Sequence, residues 1–240
     1  MATQTPAPVL VRGARASRST IALKILMAVT GFLFLLFVLV HMYGNLKAFA
    51  GHDAYDAYAL HLRTIGEPFL PHAGMLWIVR VVLIASVVVH VAAATTLWRR
   101  AHAARPVRYQ VKRHTGATFA SRLMRWGGLT ILLFVIWHLL EFTIVHINVG
   151  PGPGSDLHDP YNLLVDSFNV WWMTLIYVVA MAMLGAHLHH GIWSASQTLG
   201  WTGSARSRTV ARQVAFVLAL IISVGFVIVP IFIAAGVISR

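Results

Sequence analysis

The sequence contains no cysteine among its 240 residues. Disulfides, thiolate nucleophiles, cysteine-bound zinc and iron–sulfur clusters held by cysteines of this chain alone are therefore excluded. Charged residues are also scarce, at 11% of the chain, against about 25% in a soluble globular domain. Hydrophobic residues make up 58%, more than a soluble domain buries, so a lipid bilayer is the better solvent for this chain.

Five stretches are apolar over the roughly 20 residues that cross a bilayer. They are apolar all round rather than along one stripe, which disfavours the helices of a soluble bundle. The sequence therefore predicts an all-α integral membrane protein whose five transmembrane helices form a bundle. We number the stretches spans I to V, near residues 22–43, 75–98, 126–147, 169–193 and 213–237.

Residues 1–20 precede the first span and are polar. They are predicted to be a flexible tail rather than a signal peptide, because the apolar run after them is too long for a cleaved signal sequence and lacks a clear cleavage site. Residues 21–240 are predicted to form a single membrane domain.

The basic residues lie on alternate connections between the spans. The net charge of +12 would suggest nucleic acid in a soluble protein, but 15 of the 19 lysines and arginines lie in the tail and start of span I, in segment 99–125 and in segment 194–212. Six of the seven acidic residues lie on the other side. The positive-inside rule therefore predicts a cytoplasmic N-terminus and an outer C-terminus, and no nucleic-acid partner.

The two outer connections differ in character. The first, around residues 52–72, is predicted to form a short interfacial helix, whereas the second, with Pro-Gly-Pro-Gly at 151–154, is predicted to be a turn-rich connection.

Histidine is abundant, with 13 residues, and several fall inside predicted spans. Ionisable side chains are costly at membrane depth and are commonly functional there. The plain alternative is that each histidine satisfies a hydrogen bond between helices, but one in each of four consecutive spans is unusual for that role. The histidines within spans are His41, His90, His138, His187, His189 and His190.

Helix geometry sorts four of these histidines by depth, at a rise of about 1.5 Å per residue. Spans I and III run outward and place His41 and His138 toward the outer side. Spans II and IV run inward and place His90 and His187 in their inner halves. Two stacked pairs of neutral imidazoles in an apolar slot suit two haems b, whereas zinc prefers three or four ligands at one site. A different histidine-bound redox centre in place of one haem stays an alternative.

Two further residues lie near these pairs. Arg80, near the outer start of span II, is a candidate cation for the propionates of the outer haem, or else an anchor at the membrane surface. His190 lies on roughly the same helix face as His187 and is placed to approach a propionate or a quinone oxygen.

The segments around the histidines resemble the cytochrome b558 family, the single-chain, five-helix membrane anchors of succinate dehydrogenase and fumarate reductase (respiratory complex II). The resemblance covers nearly the whole chain after the tail. The most specific segment is 187–200 (HLHHGIWSASQTLG). The shorter ones, in the same order as in the family, are 40–45 (VHMYGN), 89–91 (VHV) and 136–141 (IWHLLE).

The resemblance implies a function and partners. An anchor of this family sits in the bacterial cytoplasmic membrane, binds the flavoprotein and iron–sulfur subunits at the cytoplasmic face, and passes electrons between the iron–sulfur subunit and menaquinone or ubiquinone. In members with two haems, the histidines that bind the iron fall at the positions of His41, His90, His138 and His187. The chain would thus be the membrane subunit of a succinate:quinone oxidoreductase, without acting on succinate itself.

A quinone head group needs hydrogen-bond donors for its two oxygens and a route for protons. Side chains of this kind gather at the predicted cytoplasmic ends of spans I, III and IV. Tryptophan at this depth is more commonly part of the interfacial belt, and a quinone site beside the outer haem is the alternative. The candidates at the cytoplasmic ends are Ser17, Arg18, Ser121, Arg122, Trp126, His190 and Trp193.

Two other functions stay open on the sequence, a di-haem cytochrome b of another quinone oxidoreductase and a non-redox transporter with a histidine-lined path. Transporters often show internal repeats and helices broken at mid-membrane. No repeat is visible here, and Pro230 is the only proline well inside a span, which favours the redox function.

Overall fold

The computed structural model of this chain describes residues 19–104, 119–144, 147, 149 and 159–240, with 119–123 described by their backbone alone. The described part is α-helical and contains no strand. A 3-10 turn, Lys47–Ala50, continues the first helix. The α-helices are α1 (Thr20–Leu46), α2 (His52–Thr64), α3 (Gly74–Ala103), α4 (Phe119–Phe142), α5 (Pro160–Phe168), α6 (Trp171–Thr198) and α7 (Ala205–Ala234).

Five of these helices, α1, α3, α4, α6 and α7, are long and apolar enough to cross a membrane. They correspond in order to spans I to V, so the predicted all-α fold with five such helices is confirmed. The predicted tail lies almost wholly outside the described residues, which begin at Ser19. Ser19 caps α1, because its hydroxyl accepts a hydrogen bond from the backbone N–H of Ala22 at 3.0 Å.

Several helices run beyond the apolar stretches that predict them. The helix α3 continues to Ala103, α6 continues to Thr198, and α7 begins at Ala205, eight residues before the predicted 213. Polar residues can extend a helix outside the hydrocarbon, where their side chains reach water. Hydrophobicity alone therefore predicts helices that are too short. At α7 the capping box of Ser204 and Ser207 fixes the start.

The helix α4 ends earlier than predicted, at Phe142 rather than near residue 147. The apolar sequence continues past this point, but the backbone N–H of Ile144 donates to the carbonyl of Leu139 at 2.8 Å. This bond spans five residues and closes the helix. The predicted end of span III, near residue 147, therefore lies beyond the end of the described helix.

The helices α1 and α6 lie in the middle of the bundle. The helix α1 packs against α3, α6 and α7, while α6 also packs against α4 and α7. Large apolar side chains on the outer faces are exposed, as in Val81 and Ile84 of α3 and Phe216 of α7. Such faces suit contact with lipid rather than water.

The short helices α2 and α5 pack against each other at one end of the bundle, which we call the capped end. The helix α2 is present where the sequence predicts a short helix. The helix α5 was missed, since only turns were predicted there. Its signal is nevertheless in the sequence, because Asp159 accepts from the backbone N–H of Asn162 at 3.0 Å as N-cap and Pro160 occupies the first helical position.

The best-buried core lies beneath α5. Tyr161, Leu164, Val165 and Phe168 of α5 are at most 4% exposed and pack with Met173 and Tyr177 of α6 and with α7. The last residue, Arg240, makes a two-pronged ion pair with the buried carboxylate of Asp166. These contacts hold the end of α7 and α5 together at the capped end.

Candidate functional site

Four histidines from four different helices meet as two pairs inside the bundle. The ring centres of His41 (α1) and His138 (α4) are 5.7 Å apart, and those of His90 (α3) and His187 (α6) are 6.4 Å apart. These are the pairs that depth along the helices predicts. Thr30, which contacts His90, precedes His41 by eleven positions, so the two pairs lie about 16 Å apart along α1.

The His41–His138 pair lies toward the capped end and is enclosed by aromatic rings. Phe37 stacks on His41 with ring centres 5.2 Å apart, and Phe134 stacks on His138. The hydroxyl of Tyr177, a residue only 7% exposed, lies 2.9 Å from Nδ1 of His138. This hydrogen bond occupies Nδ1 and leaves Nε2 of His138 free to bind a ligand.

The His90–His187 pair lies deeper in the bundle, away from the capped end. Nδ1 of His90 is 2.8 Å from Oγ1 of Thr30, whose hydroxyl is within 2.8 Å of the carbonyl of Leu26. When the Thr30 hydroxyl donates to that carbonyl, its oxygen can accept the Nδ1–H of His90, and in that tautomer Nε2 of His90 keeps its lone pair. Nδ1 of His187 is buried and has no hydrogen-bond partner in the described part of the chain.

Two glycines stand beside the His90–His187 pair. A Cβ added to Gly31 of α1 would lie 3.8 Å from Cε1 of His90, and one added to Gly128 of α4 would lie 3.6 Å from Cε1 of His187. Both distances are van der Waals contacts, so any larger side chain at these positions would occupy space next to an imidazole. The glycines therefore let the two imidazoles lie close to α1 and α4, where a larger side chain would crowd them.

The geometry of both pairs fits two imidazoles bound to one metal from opposite sides. With bonds of about 2 Å to each nitrogen, such imidazoles have ring centres roughly 6 Å apart. In the described part of the chain two imidazoles meet at each pair, so a metal held there would take its remaining ligands from outside these pairs, as a macrocycle would supply them. The rings lie among apolar residues, and Thr30 and Tyr177 supply the outer hydrogen bonds that commonly orient metal-binding histidines.

Arg80 is not brought to either pair by any contact described for it. Its side chain is exposed on α3, and its guanidinium lies over the ring of Trp77 at 5.0 Å from the ring centre. This stacking suits a membrane-surface anchor, the alternative role given for Arg80 above.

The candidates for an inner quinone site are only partly described. Ser17 and Arg18 lie outside the described residues, and Ser121 and Arg122 are described by backbone alone, in the first turn of α4. Trp126 is 72% exposed. Trp193 is covered by the guanidinium of Arg212, 4.6 Å from its ring centre. The described candidates Trp126, His190 and Trp193 all lie toward the end opposite the capped end.

A shallow groove at this same end was not predicted from the sequence. It is lined by Trp98, Ala101 and His102 of α3 and by Arg125 of α4. It offers an imidazole and a guanidinium beside an indole, the kinds of donor that a quinone head group requires. Its residues come from the end of α3 and the start of α4, two helices that follow one another in the chain.

Glu141 is the one acidic residue inside a predicted span, and it is fully buried. Its Oε1 accepts from the hydroxyl of Ser167 at 2.8 Å and from the backbone N–H of Val149 at 3.2 Å. Glu141 therefore fastens the connection after α4 and the helix α5 over the end of α4 that carries His138. In the sequence, Glu141 stands out only as the last residue of the segment 136–141.

Replacing Glu141 with alanine should destabilise the protein. The buried hydroxyl of Ser167 and the partly buried N–H of Val149 would lose their acceptor, and a buried donor left without a partner costs about 1–3 kcal/mol. Glutamine keeps an acceptor oxygen and should restore most of the stability. Thermal unfolding in detergent measures the stability of each variant. Glu67→Ala is the control, because Glu67 is an exposed partner of His72 at 3.1 Å and surface pairs contribute little to stability. Equal stability of the Glu141→Ala and Glu67→Ala proteins would contradict the fastening role.

Comparison of the chain with family models, with curated proteins and with solved structures finds no match.

Proposed function

We propose that this chain is the membrane-anchor subunit of a succinate:quinone oxidoreductase, with haem b held at each histidine pair. The observation that carries the proposal is the convergence of four histidines, one from each of four helices, into two pairs with ring centres 5.7 and 6.4 Å apart. The family resemblance picks out the same four residues from the sequence.

Under this proposal His41 and His138 hold one haem, and His90 and His187 hold the other. A bound haem supplies one-electron redox chemistry, and two of them at different depths form a path for electrons across the bilayer. Tyr177 and Thr30 fix the orientation of His138 and His90 through Nδ1, and the surrounding apolar side chains exclude water from the pairs.

The distribution of charge supports a cytoplasmic N-terminus and a cytoplasmic docking surface. The described acidic residues other than Glu141 lie in α2, in α5 or in the connections next to them. Basic residues gather at the opposite end, which under the positive-inside rule faces the cytoplasm and would meet the iron–sulfur subunit or anionic lipid. These basic residues include Arg99, Arg100, Arg125, Arg206, Arg208 and Arg212.

Purification of the complex from its native membrane tests the proposal. We expect flavoprotein and iron–sulfur subunits to purify with the chain, and a pyridine haemochrome spectrum to report two haems b per chain. A di-haem cytochrome b of another quinone oxidoreductase would give haem with different partners. A preparation with neither haem nor redox subunits would contradict the proposal and favour a transporter.

The quinone site is proposed at the end opposite the capped end, near the expected docking surface. Replacing Ser121, Arg122 and His190 together should lower the rate of quinone reduction by succinate, since donors to the quinone oxygens would be lost. His189→Ala is the control and should keep the wild-type rate, because His189 is exposed and contacts Phe216. Wild-type rate and apparent quinone affinity in the triple variant would move the site to the haem at His41 and His138.

Replacing Thr30 with valine should raise the midpoint potential of the haem at His90 and His187. The hydrogen bond from Nδ1–H makes His90 a more basic ligand, which favours ferric iron, and valine removes its acceptor. Redox titration of the purified protein measures the change. Thr95→Val is the matched control, since the Thr95 hydroxyl donates only to backbone carbonyls, such as that of Val91 at 2.8 Å. Equal potentials in the two variants would show that Thr30 does not tune His90.

A further inference from the structure

A second group of potential metal ligands lies at the capped end, separate from the histidine pairs. His52 opens α2, Asp56 lies one turn later, and Asp159 caps α5 more than 100 residues further along the chain. One ligand atom from each of the three residues lies within 4.8 Å of the others. All three side chains are partly exposed, at 46%, 25% and 32%, so an ion from solution can reach them.

The two spacings from Nε2 of His52 match a metal site better than a pair of hydrogen bonds. Nε2 of His52 is 3.4 Å from Oδ2 of Asp56 and 3.4 Å from Oδ1 of Asp159. A charge-assisted hydrogen bond between such groups is usually about 2.7–2.9 Å long. A tetrahedral zinc ion, with bonds of about 2.0–2.2 Å, separates its ligand atoms by roughly 3.3–3.6 Å.

Each of the three residues also has a contact outside the group, which holds its side chain in place. Nδ1 of His52 faces the carboxylate of Asp53 at 3.3 Å, the arrangement that orients many zinc-binding histidines. Oδ1 of Asp56 accepts from the backbone N–H of Tyr161 at 3.2 Å, which leaves Oδ2 toward His52. The carboxylate of Asp159 is fixed by the backbone and side-chain N–H groups of Asn162.

The electrostatic field at this point favours a cation. The carboxylate of Asp53 lies 3.3 Å from Nδ1 of His52, and those of Asp56 and Asp159 each lie 3.4 Å from Nε2, so three negative charges surround the imidazole. The guanidinium of Arg240 is engaged by Asp166. An imidazole with two carboxylates suits zinc, whereas Ca²⁺ and Mg²⁺ prefer oxygen ligands throughout.

We propose that His52, Asp56 and Asp159 bind a zinc-type divalent ion that clamps α2 to α5. The ion would join two helices that are distant in sequence and that together cover the capped end. The helix α5 in turn places Phe168 against Tyr177, with ring centres 4.7 Å apart, so the clamp braces the residue that contacts His138. The proposal does not depend on haem or on complex II.

Zinc content of the full-length protein tests the site without reference to electron transfer. The protein, purified in detergent through a tag without histidine, is stripped with EDTA, freed of the chelator and dialysed against micromolar free Zn²⁺. We expect one tightly bound zinc per chain by elemental analysis, and a rise in the unfolding temperature on adding Zn²⁺. A wild-type protein that binds no zinc under these conditions overturns the proposal.

Three variants separate this site from general binding by surface histidines. His52→Gln and Asp159→Asn should each weaken zinc binding at least tenfold, and asparagine still caps α5 because it is a strong N-cap residue. His61→Gln, at an exposed position on the same helix α2, should keep the zinc and the thermal shift. Because His52 is exposed, its replacement leaves the fold intact and decides the question. Loss of zinc from His61→Gln to the same extent, or its retention in His52→Gln, would refute the site.

Discussion

Replacing His187 with alanine should leave the purified protein with one haem in place of two. His187 and His90 form one of the two histidine pairs, and their ring centres are 6.4 Å apart. With one imidazole gone, the haem would keep one protein ligand in place of two, which weakens its retention during purification. His90→Ala should give the same loss, since each pair acts as a unit. The haemochrome spectrum, normalised to protein, measures the number of haems per chain.

His189→Ala and His190→Ala are the matched controls for this loss. Both lie within three residues of His187 on α6, but His189 is exposed and contacts Phe216 at 6.1 Å between ring centres. Both variants should retain two haems. His41→Ala and His138→Ala should remove the other haem instead, which redox titration distinguishes by the potential that survives. If His190→Ala removes a haem and His187→Ala does not, the assignment of His187 as the partner of His90 is wrong.

The pairing of the histidines was predictable because it depends on helix depth alone. Each residue adds about 1.5 Å of rise, and the order of the spans fixes which helices run in the same direction. His41 and His138 therefore fall at one level and His90 and His187 at another, without any knowledge of how the helices are rotated. The structure brings together these same pairs.

The side chains that hold the histidines were not predictable in the same way. Thr30 contacts His90 across 60 positions and Tyr177 contacts His138 across 39, and neither contact follows from depth. Each requires the rotation of one helix about its axis relative to its neighbour, which all-round hydrophobicity does not specify. The buried role of Glu141 was missed for the same reason, since Ser167 and Val149 reach it through a connection that the sequence marks only as turns.

Substituting leucine for Gly128 should prevent haem from binding at His90 and His187. A Cβ at this position already comes within 3.6 Å of Cε1 of His187, so the three further carbons of leucine must occupy the space beside the imidazole or displace it. A flat macrocycle seated between His90 and His187 needs that space, and closely packed interiors accommodate an added side chain poorly. We expect one haem per chain, with the haem at His41 and His138 unchanged, by haemochrome spectrum and redox titration.

Gly191→Leu is the control that isolates this effect. Gly191 lies on α6, four residues after His187, and a Cβ there meets nothing within 4 Å. Both substitutions replace a helical glycine with the same apolar residue, so any general effect on insertion or helix stability is shared. The protein with leucine at position 191 should retain both haems. Two haems in the Gly128→Leu protein would mean that the macrocycle does not lie on the α4 side of His187, and the slot would then have to be sought beside Gly31.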